Sequence, residues 1–334
     1  MVCSKTMSAQ PYQNLTPDVI LDAVESCGYR CDGRQYPLNS FENRVYQVWC
    51  DDGAVLVAKF YRPQRWSNAA ILEEHAFARE LVAREVPVVA PLADAGGKTL
   101  HECGGYRFAL FPKQAGRAPE LDNTDTLRWL GRFLGRIHAV GALKPFEHRP
   151  LIDIESFGEE PARFVIENDF VPEDLVDAYE AIVNDALERI EQCYGRAGAA
   201  RNIRLHGDCH AGNILWHDDG PHFVDLDDCR KGPAVQDLWM LLSGDAPAMS
   251  SQLSHVLAGY QEFCEFNPSE LALIEALRTM RMIHYAGWLA NRWDDPAFPA
   301  NFPWFNTLRY WQDQILALRE QCSAMDEPPL EVDY

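Results

Sequence analysis

Residues 205–237 read LHGDCHAGNILWHDDGPHFVDLDDCRKGPAVQD, and the order of their polar groups decides what the rest of the chain has to build. Asp208 follows an apolar run and a His-Gly pair, and Asn213 comes five residues later. A turn, Asp218-Asp219-Gly220-Pro221, leads into an apolar strand, His222-Phe223-Val224, that delivers a second acid, Asp225. One carboxylate to take a proton from an attacking hydroxyl, with an amide and a second carboxylate on a Mg²⁺ that bridges the phosphates, is the minimal set for moving a γ-phosphate. The stretch carries that set, so phosphoryl transfer is the chemistry it predicts.

The neighbouring groups bear on that chemistry. His206 and His210 lie four apart, with Cys209 between them and Cys229 nearby, which raises zinc. A loop without a closed ligand set argues against it, and Asp and Asn suit a hard, oxygen-preferring metal better. His206 reads as a buried histidine holding the loop backbone, and His210 as a group able to help position a phosphate. Asp227 and Asp228 crowd Asp225, and like charges this close ionise together only around a cation. That favours a metal. Asp237, at the start of a helix, reads as structural.

Working outward, the N-terminal third reads as a small sheet with helices. Thr16 as N-cap and Pro17 at the first helical position predict a helix over 14–27, closed by Gly28. Alternation predicts strands over 41–50 and 54–61, joined at Asp51-Asp52-Gly53. Lys59 ends the second strand. A helix over 69–84 places Glu74, Phe77 and Leu81 on one face, so that Glu74 can reach Lys59, with Glu73 as the alternative partner. A strand Lys held by a helix Glu is how a kinase small lobe aims an ammonium at the α- and β-phosphates. Gly96-Gly97-Lys98-Thr99 is a turn rather than a Walker A loop, because Leu92 stands where the upstream glycine is required. Val86-Pro87-Val88 starts an extended segment, Tyr106 to Phe111 is a last strand, and residues 113–118 are a flexible hinge. From Asp125 the chain is mostly helical, with helices near 126–138, 250–266 and 268–293. An aromatic layer over 298–311 follows, which packs on the helical lobe or, with Arg278, Arg281 and Arg292, lines an acceptor pocket.

Composition sets the outer limits. The 334 residues hold enough apolar side chains, 47%, for a sizeable core. A formal charge of -20 argues against nucleic acid or an anionic membrane as partner. Thirteen acids against Arg163 and Arg189 between Asp153 and Glu191 give a solvated helical face or, as the minority reading, a negative rim for a cationic acceptor. Ten cysteines without paired spacings indicate reduced thiols in a cytoplasmic protein, and the first thirty residues, with Lys5, Asp18, Asp22 and Glu25, lack a signal core. No membrane association and a monomeric state are expected.

HGDCHAGNILW followed by FVDLDD resembles the aminoglycoside phosphotransferase and choline kinase branch of the protein-kinase-like fold, and the spacing of Asp208 and Asn213 is similar to that of the protein-kinase catalytic loop. SFENRVYQV resembles the branch's glycine-poor nucleotide loop, VAKFYRP its strand Lys and ILEEHAFARELVAREVPVVAP its Glu helix. LNSFENRVYQV, VDLDDCRKGPAVQDLWMLL and DPAFPANFPW add a narrower resemblance to the bacterial stress response kinase A family. The fold implied is α+β and two-lobed: a small nucleotide lobe over 1–112 with an antiparallel sheet plus helix, the hinge, and a larger, mostly helical lobe over 119–334. The resemblance implies ATP and Mg²⁺, Asp208 as proton acceptor, Asn213 and Asp225 as metal ligands with Asp225 also catalytic, Lys59 on the phosphates with Glu74 behind it, and Ser40 in the loop above them. A G-x-G-x-x-G loop and an A-P-E segment are lacking. Three functions follow: a Ser/Thr protein kinase, a small-molecule kinase acting on an alcohol of an amino sugar or choline-like amine, and a nucleotide-binding regulator without turnover. The complete residue set disfavours the third.

Overall fold

Thr16 opens α1 (Pro17–Ser26) as expected: its side chain accepts the Val19 N–H, and Gly28, at φ +92°, turns the chain away after the helix. A computed structural model describes residues 11–333, so Cys3 and Lys5 lie outside the described range. Five strands follow, β1 (Cys31–Pro37), β2 (Arg44–Cys50), β3 (Val55–Phe60), β4 (His101–Cys103) and β5 (Tyr106–Pro112), with α2 (Asn68–Val82) between the third and fourth. They form one antiparallel sheet in the order β1-β2-β3-β5-β4. Alternation along β3 sends Leu56, Ala58 and Phe60 to the face that packs on Ile20, Ala23 and Val24 of α1. Lys59 therefore points to the opposite face, which α2 covers, and its register, opposite Val45 and Ala109, makes it a central-strand residue.

The larger lobe is helical. Its core joins α3 (Thr124–Gly141), α4 (Glu160–Glu167), α5 (Glu173–Ala197), α7 (Ala246–Tyr260), α8 (Ile274–Ala290) and α10 (Leu308–Asp326), with the short α6 (Val235–Trp239) and α9 (Ala297–Asn301) between them. Helices α3 and α7 touch backbone to backbone. A Cβ on Gly131 would meet the Val256 carbonyl oxygen at 1.9 Å, and one on Gly259 would meet that of Arg128 at 2.0 Å. Of the thirteen acids between Asp153 and Glu191, all but Asp153 and Asp185 are exposed, which is the solvated face. Two short ribbons, β6 (Ile203–Leu205) with β9 (Arg230–Gly232) and β7 (Ile214–His217) with β8 (Gly220–Phe223), bracket the loops that carry the acids.

Several expectations shift. Strand β2 begins at Arg44, because Ser40–Asn43 is a turn, closed by the Ser40 hydroxyl donating to the Asn43 carbonyl. Val86-Pro87-Val88 joins no sheet; Val88 makes one isolated bridge to Phe223. The helix expected over 268–293 is a 3₁₀ turn, Pro268–Leu273, followed by α8, because Glu270 turns inward to accept the Val235 N–H at 3.0 Å. The helix expected over 250–266 starts earlier, at Ala246, capped by Asp245. The aromatic layer is as drawn: Phe298, Phe302, Phe305 and Trp311 are buried on the helical lobe.

Candidate active site

The acid-bearing loops are held from behind by Asp237. Its carboxylate, fully buried on α6, accepts the backbone N–H groups of His206 and Gly207, both at 2.8 Å, and lies 3.0 Å from His138 Nε2. Asp237 is structural, as read, and His138 is its buried partner. His206 reaches across to the Val224 carbonyl at 3.0 Å, and the Val224 N–H donates to the Asn213 carbonyl. Gly207, at φ +85°, admits this closeness, since a Cβ there would meet the Asp228 carbonyl oxygen at 2.2 Å. The two loops are thereby one rigid unit, and Asp208, Asn213 and Asp225 line a single cleft with Ser40.

Within it, Asn213 Nδ2 donates to the Asp208 carbonyl at 2.9 Å and lies 3.3 Å from its carboxylate. The Gly212 N–H donates to His210 Nδ1, which fixes the tautomer and points His210 Nε2–H at Asp208, 3.5 Å away. Arg281 Nη1, from α8, lies 2.7 Å from Asp208 Oδ1, an ion pair angled outside hydrogen-bond geometry. Burial pushes the Asp208 carboxyl up, but His210 and Arg281 more than offset it and hold it below the usual carboxylate range. It is an anion at neutral pH.

Lys59 Nζ stands 2.8 Å from Asp225, 3.2 Å from Asp227 and 3.5 Å from Glu74. Burial would push its ammonium down, yet the three acids outweigh it and keep the pKa well above the ordinary lysine value. The Glu73 alternative is excluded: that carboxylate accepts the backbone N–H groups of Glu147, His148 and Arg149. The loop it holds delivers Arg149, which the sequence reading missed. Arg149 is buried, donates to Glu74 at 2.8 Å and to the carbonyls of Ala70 and Asp227, and so fixes Glu74 from the far side.

The crowding of Asp225, Asp227 and Asp228 has a different cause from the one expected. Arg65 pairs with both Asp227 and Asp228, Arg230 adds a second bond to Asp228 at 2.7 Å, and Lys59 takes Asp225. Burial raises the Asp227 and Asp228 carboxyls, but these cations drive both below the usual range. Protein cations explain the cluster, so crowding by itself no longer speaks for a metal. The donors around Asp225 do fit one. Its side chain is 52% exposed in the cleft with one oxygen on Lys59, and Asn213, whose NH₂ is committed to Asp208, keeps its amide oxygen to offer. An all-oxygen pair of this kind suits a hard divalent cation.

The turn that carries Ser40 is clasped to the large lobe. Glu42 accepts from Trp288 Nε1 and Arg292 Nε, both at 2.6 Å, the Phe41 ring lies 4.9 Å from that of Phe302, and Arg62 reaches Asp295 at 3.1 Å. The cleft below measures about 990 Å³, at the top of the range of about 300–1,000 Å³ usual for small-molecule sites. No helix among the described residues is long and apolar enough to cross a membrane.

Residues 35–274 match the family described as Phosphotransferase enzyme family. Stress response kinase A of Salmonella choleraesuis (strain SC-B67) is 47% identical over 325 residues, covering 97% of this chain and 98% of that protein. The protein called Serine/threonine protein kinase RdoA in Salmonella typhimurium (strain LT2) is likewise 47% identical over 325 residues, with the same coverage. Among solved structures, amicoumacin kinase hAmiN in complex with AMP-PNP, Ca²⁺ and Ami aligns with a TM-score of 0.70 at 20% identity, over 93% of this chain and 94% of that one. At that identity the likeness concerns the two-lobed fold.

Proposed function

The chain belongs to the phosphotransferase enzyme family and, within it, to the stress response kinase A family, and from that premise we propose that it is an ATP-dependent Ser/Thr protein kinase. The observation that carries the reading is the convergence of Asp208, Asn213 and Asp225 beneath Lys59 in one cleft. The protein acceptor is supported by the name of the Salmonella typhimurium relative, whereas the solved neighbour takes its name from a small molecule, amicoumacin. A small-molecule alcohol is therefore the second reading. The residues between β5 and α3, where the chain is irregular and Arg117 pairs with Trp216, support a lobe boundary at 113–118.

In this mechanism the acceptor hydroxyl loses its proton to Asp208 as its oxygen bonds to the γ-phosphorus, and the bond from that phosphorus to the β–γ bridging oxygen breaks to leave ADP. Asp208 is suited to this because His210 and Arg281 keep it ionised. Lys59, held charged by Asp225, Asp227 and Glu74, offers its ammonium to the α- and β-phosphates, and Arg149 keeps Glu74 from following it. Mg²⁺ on Asn213 and Asp225 would neutralise charge on the β- and γ-phosphates. Ser40, on the cleft wall, closes over the phosphates.

Incubation with labelled ATP and Mg²⁺, alone, with a generic basic protein and with a panel of amino alcohols, tests the reading. Label should appear on protein, and Asp208→Asn should remove it, with a loss of at least 10²-fold, the lower range for a lost acid–base group, while nucleotide binding persists. Label on the small alcohols alone overturns the protein-kinase reading, and full activity in Asp208→Asn overturns its role as base.

A further inference from the structure

Arg281 enters the site from α8 and lies 2.7 Å from the carboxylate that takes the acceptor's proton. A hydroxyl within hydrogen-bond reach of either Asp208 oxygen, about 3 Å, must then lie within about 8 Å of that guanidinium. Arg281 is 43% exposed toward the cleft and, among the described residues, pairs with no acid but Asp208. A guanidinium has five donors in a planar fork that matches carboxylate and phosphate, so Arg281 retains donors for a second anion. The charged groups around it are otherwise committed. Arg230 is bound to Asp228 and Arg292 to Glu42. His284, one turn along α8 and stacked 4.3 Å from Phe157, is pushed down to about 3 by burial and by Arg230, and so is neutral. At the rim, Glu160, Arg163 and Glu167 of α4 line the cleft and are exposed, with net charge of minus one. A cation can therefore be received at the mouth, but beside the reacting hydroxyl it would face Arg281.

We propose that Arg281 recognises the acceptor, pairing with a carboxylate or phosphate carried next to the hydroxyl that Asp208 deprotonates. Resting on the kinase reading above, this narrows the acceptor to a Ser/Thr segment with an acidic or phosphorylated residue beside the acceptor, or to a hydroxy acid if the acceptor is small. Arg281 is at the same time a positioning residue for Asp208.

The test uses the full chain with Mg²⁺-ATP and a matched panel: Ser and Thr peptides with Asp, phosphoserine, Ala or Lys at each of the two flanking positions on either side, and glycerate, glycerol and 3-amino-1,2-propanediol as small alcohols. Acidic members should show a KM at least tenfold below that of the neutral ones. In Arg281→Gln that gap should close while KM for ATP holds, and Arg281→Lys should restore part of the gap. Preference for neutral or basic members, a gap that survives in Arg281→Gln, or transfer to no anionic member overturns the proposal. Transfer to glycerate but to no peptide leaves it standing and removes the protein acceptor instead.

Discussion

Replacing Lys59 by Met removes one buried ammonium from the reach of three carboxylates, and the structure says how much that should cost. Taking one partner out of a buried ion pair typically costs about 3–5 kcal/mol, and three such pairs would suggest the upper end or beyond. Each acid, however, keeps another outlet. Glu74 retains Arg149 at 2.8 Å, Asp227 retains Arg65, and Asp225 is half exposed and can turn to water. The loss should therefore be about 3 kcal/mol, the low end of that range. The pH dependence follows from Glu74, whose carboxyl burial already raises against the pull of Lys59. A folded-state pKa above the unfolded one means the group favours folding below the unfolded value and penalises it as pH rises through the folded value. Without Lys59 that pKa climbs further, so the variant's deficit should be largest near pH 8 and shrink toward pH 5. Urea unfolding at both pH values, followed by tryptophan fluorescence, measures this, since Trp66 stacks beside both Arg65 and Arg149. A deficit that is absent at pH 8, or that grows on acidification, would refute the assignment of Lys59 as the charge these acids share.

Two further substitutions test the scaffold. Asp237→Ala orphans the buried N–H groups of His206 and Gly207; at about 1–3 kcal/mol for each unsatisfied donor, chemical denaturation should show a loss of about 2–6 kcal/mol, and Asp237→Asn, which keeps one acceptor oxygen, roughly half of it. Gly131→Ala forces a methyl against the Val256 carbonyl oxygen and should lower stability by at least about 1–3 kcal/mol in a thermal melt. Gly195→Ala on α5, with nothing within 4 Å of the added carbon, should instead be neutral or stabilising.

What the sequence made legible is what repeats locally. The Thr16 cap, the alternation around Lys59 and the Glu74-Phe77-Leu81 face are written within one or two turns of chain, and each has its structural counterpart. Strand β1 escaped because it pairs along one side only, bulges at Gly33 and is mostly exposed, so CDGRQYP shows no apolar alternation. Arg149 escaped for another reason. It meets Glu74 across 75 residues of chain, and a lone Arg in a loop has no periodicity to betray burial. A signal was nevertheless present: Glu74 needs a second cation as soon as Asp225 and Asp227 also claim Lys59. Arg281 was legible only as one of three arginines on a helix. The turn of α8 that faces Asp208 is fixed by packing against α4, a long-range contact.

Helix α8 has Arg281 near its middle and Trp288 near its end, and Trp288 with Arg292 just beyond holds Glu42 of the turn that contains Ser40. One rod thus touches Asp208 with one side chain and tethers the turn that carries Ser40 with another. Any occupant that shifts the rod alters both, and thermodynamic reciprocity requires that whatever factor the first substrate lends to the second be returned in equal measure.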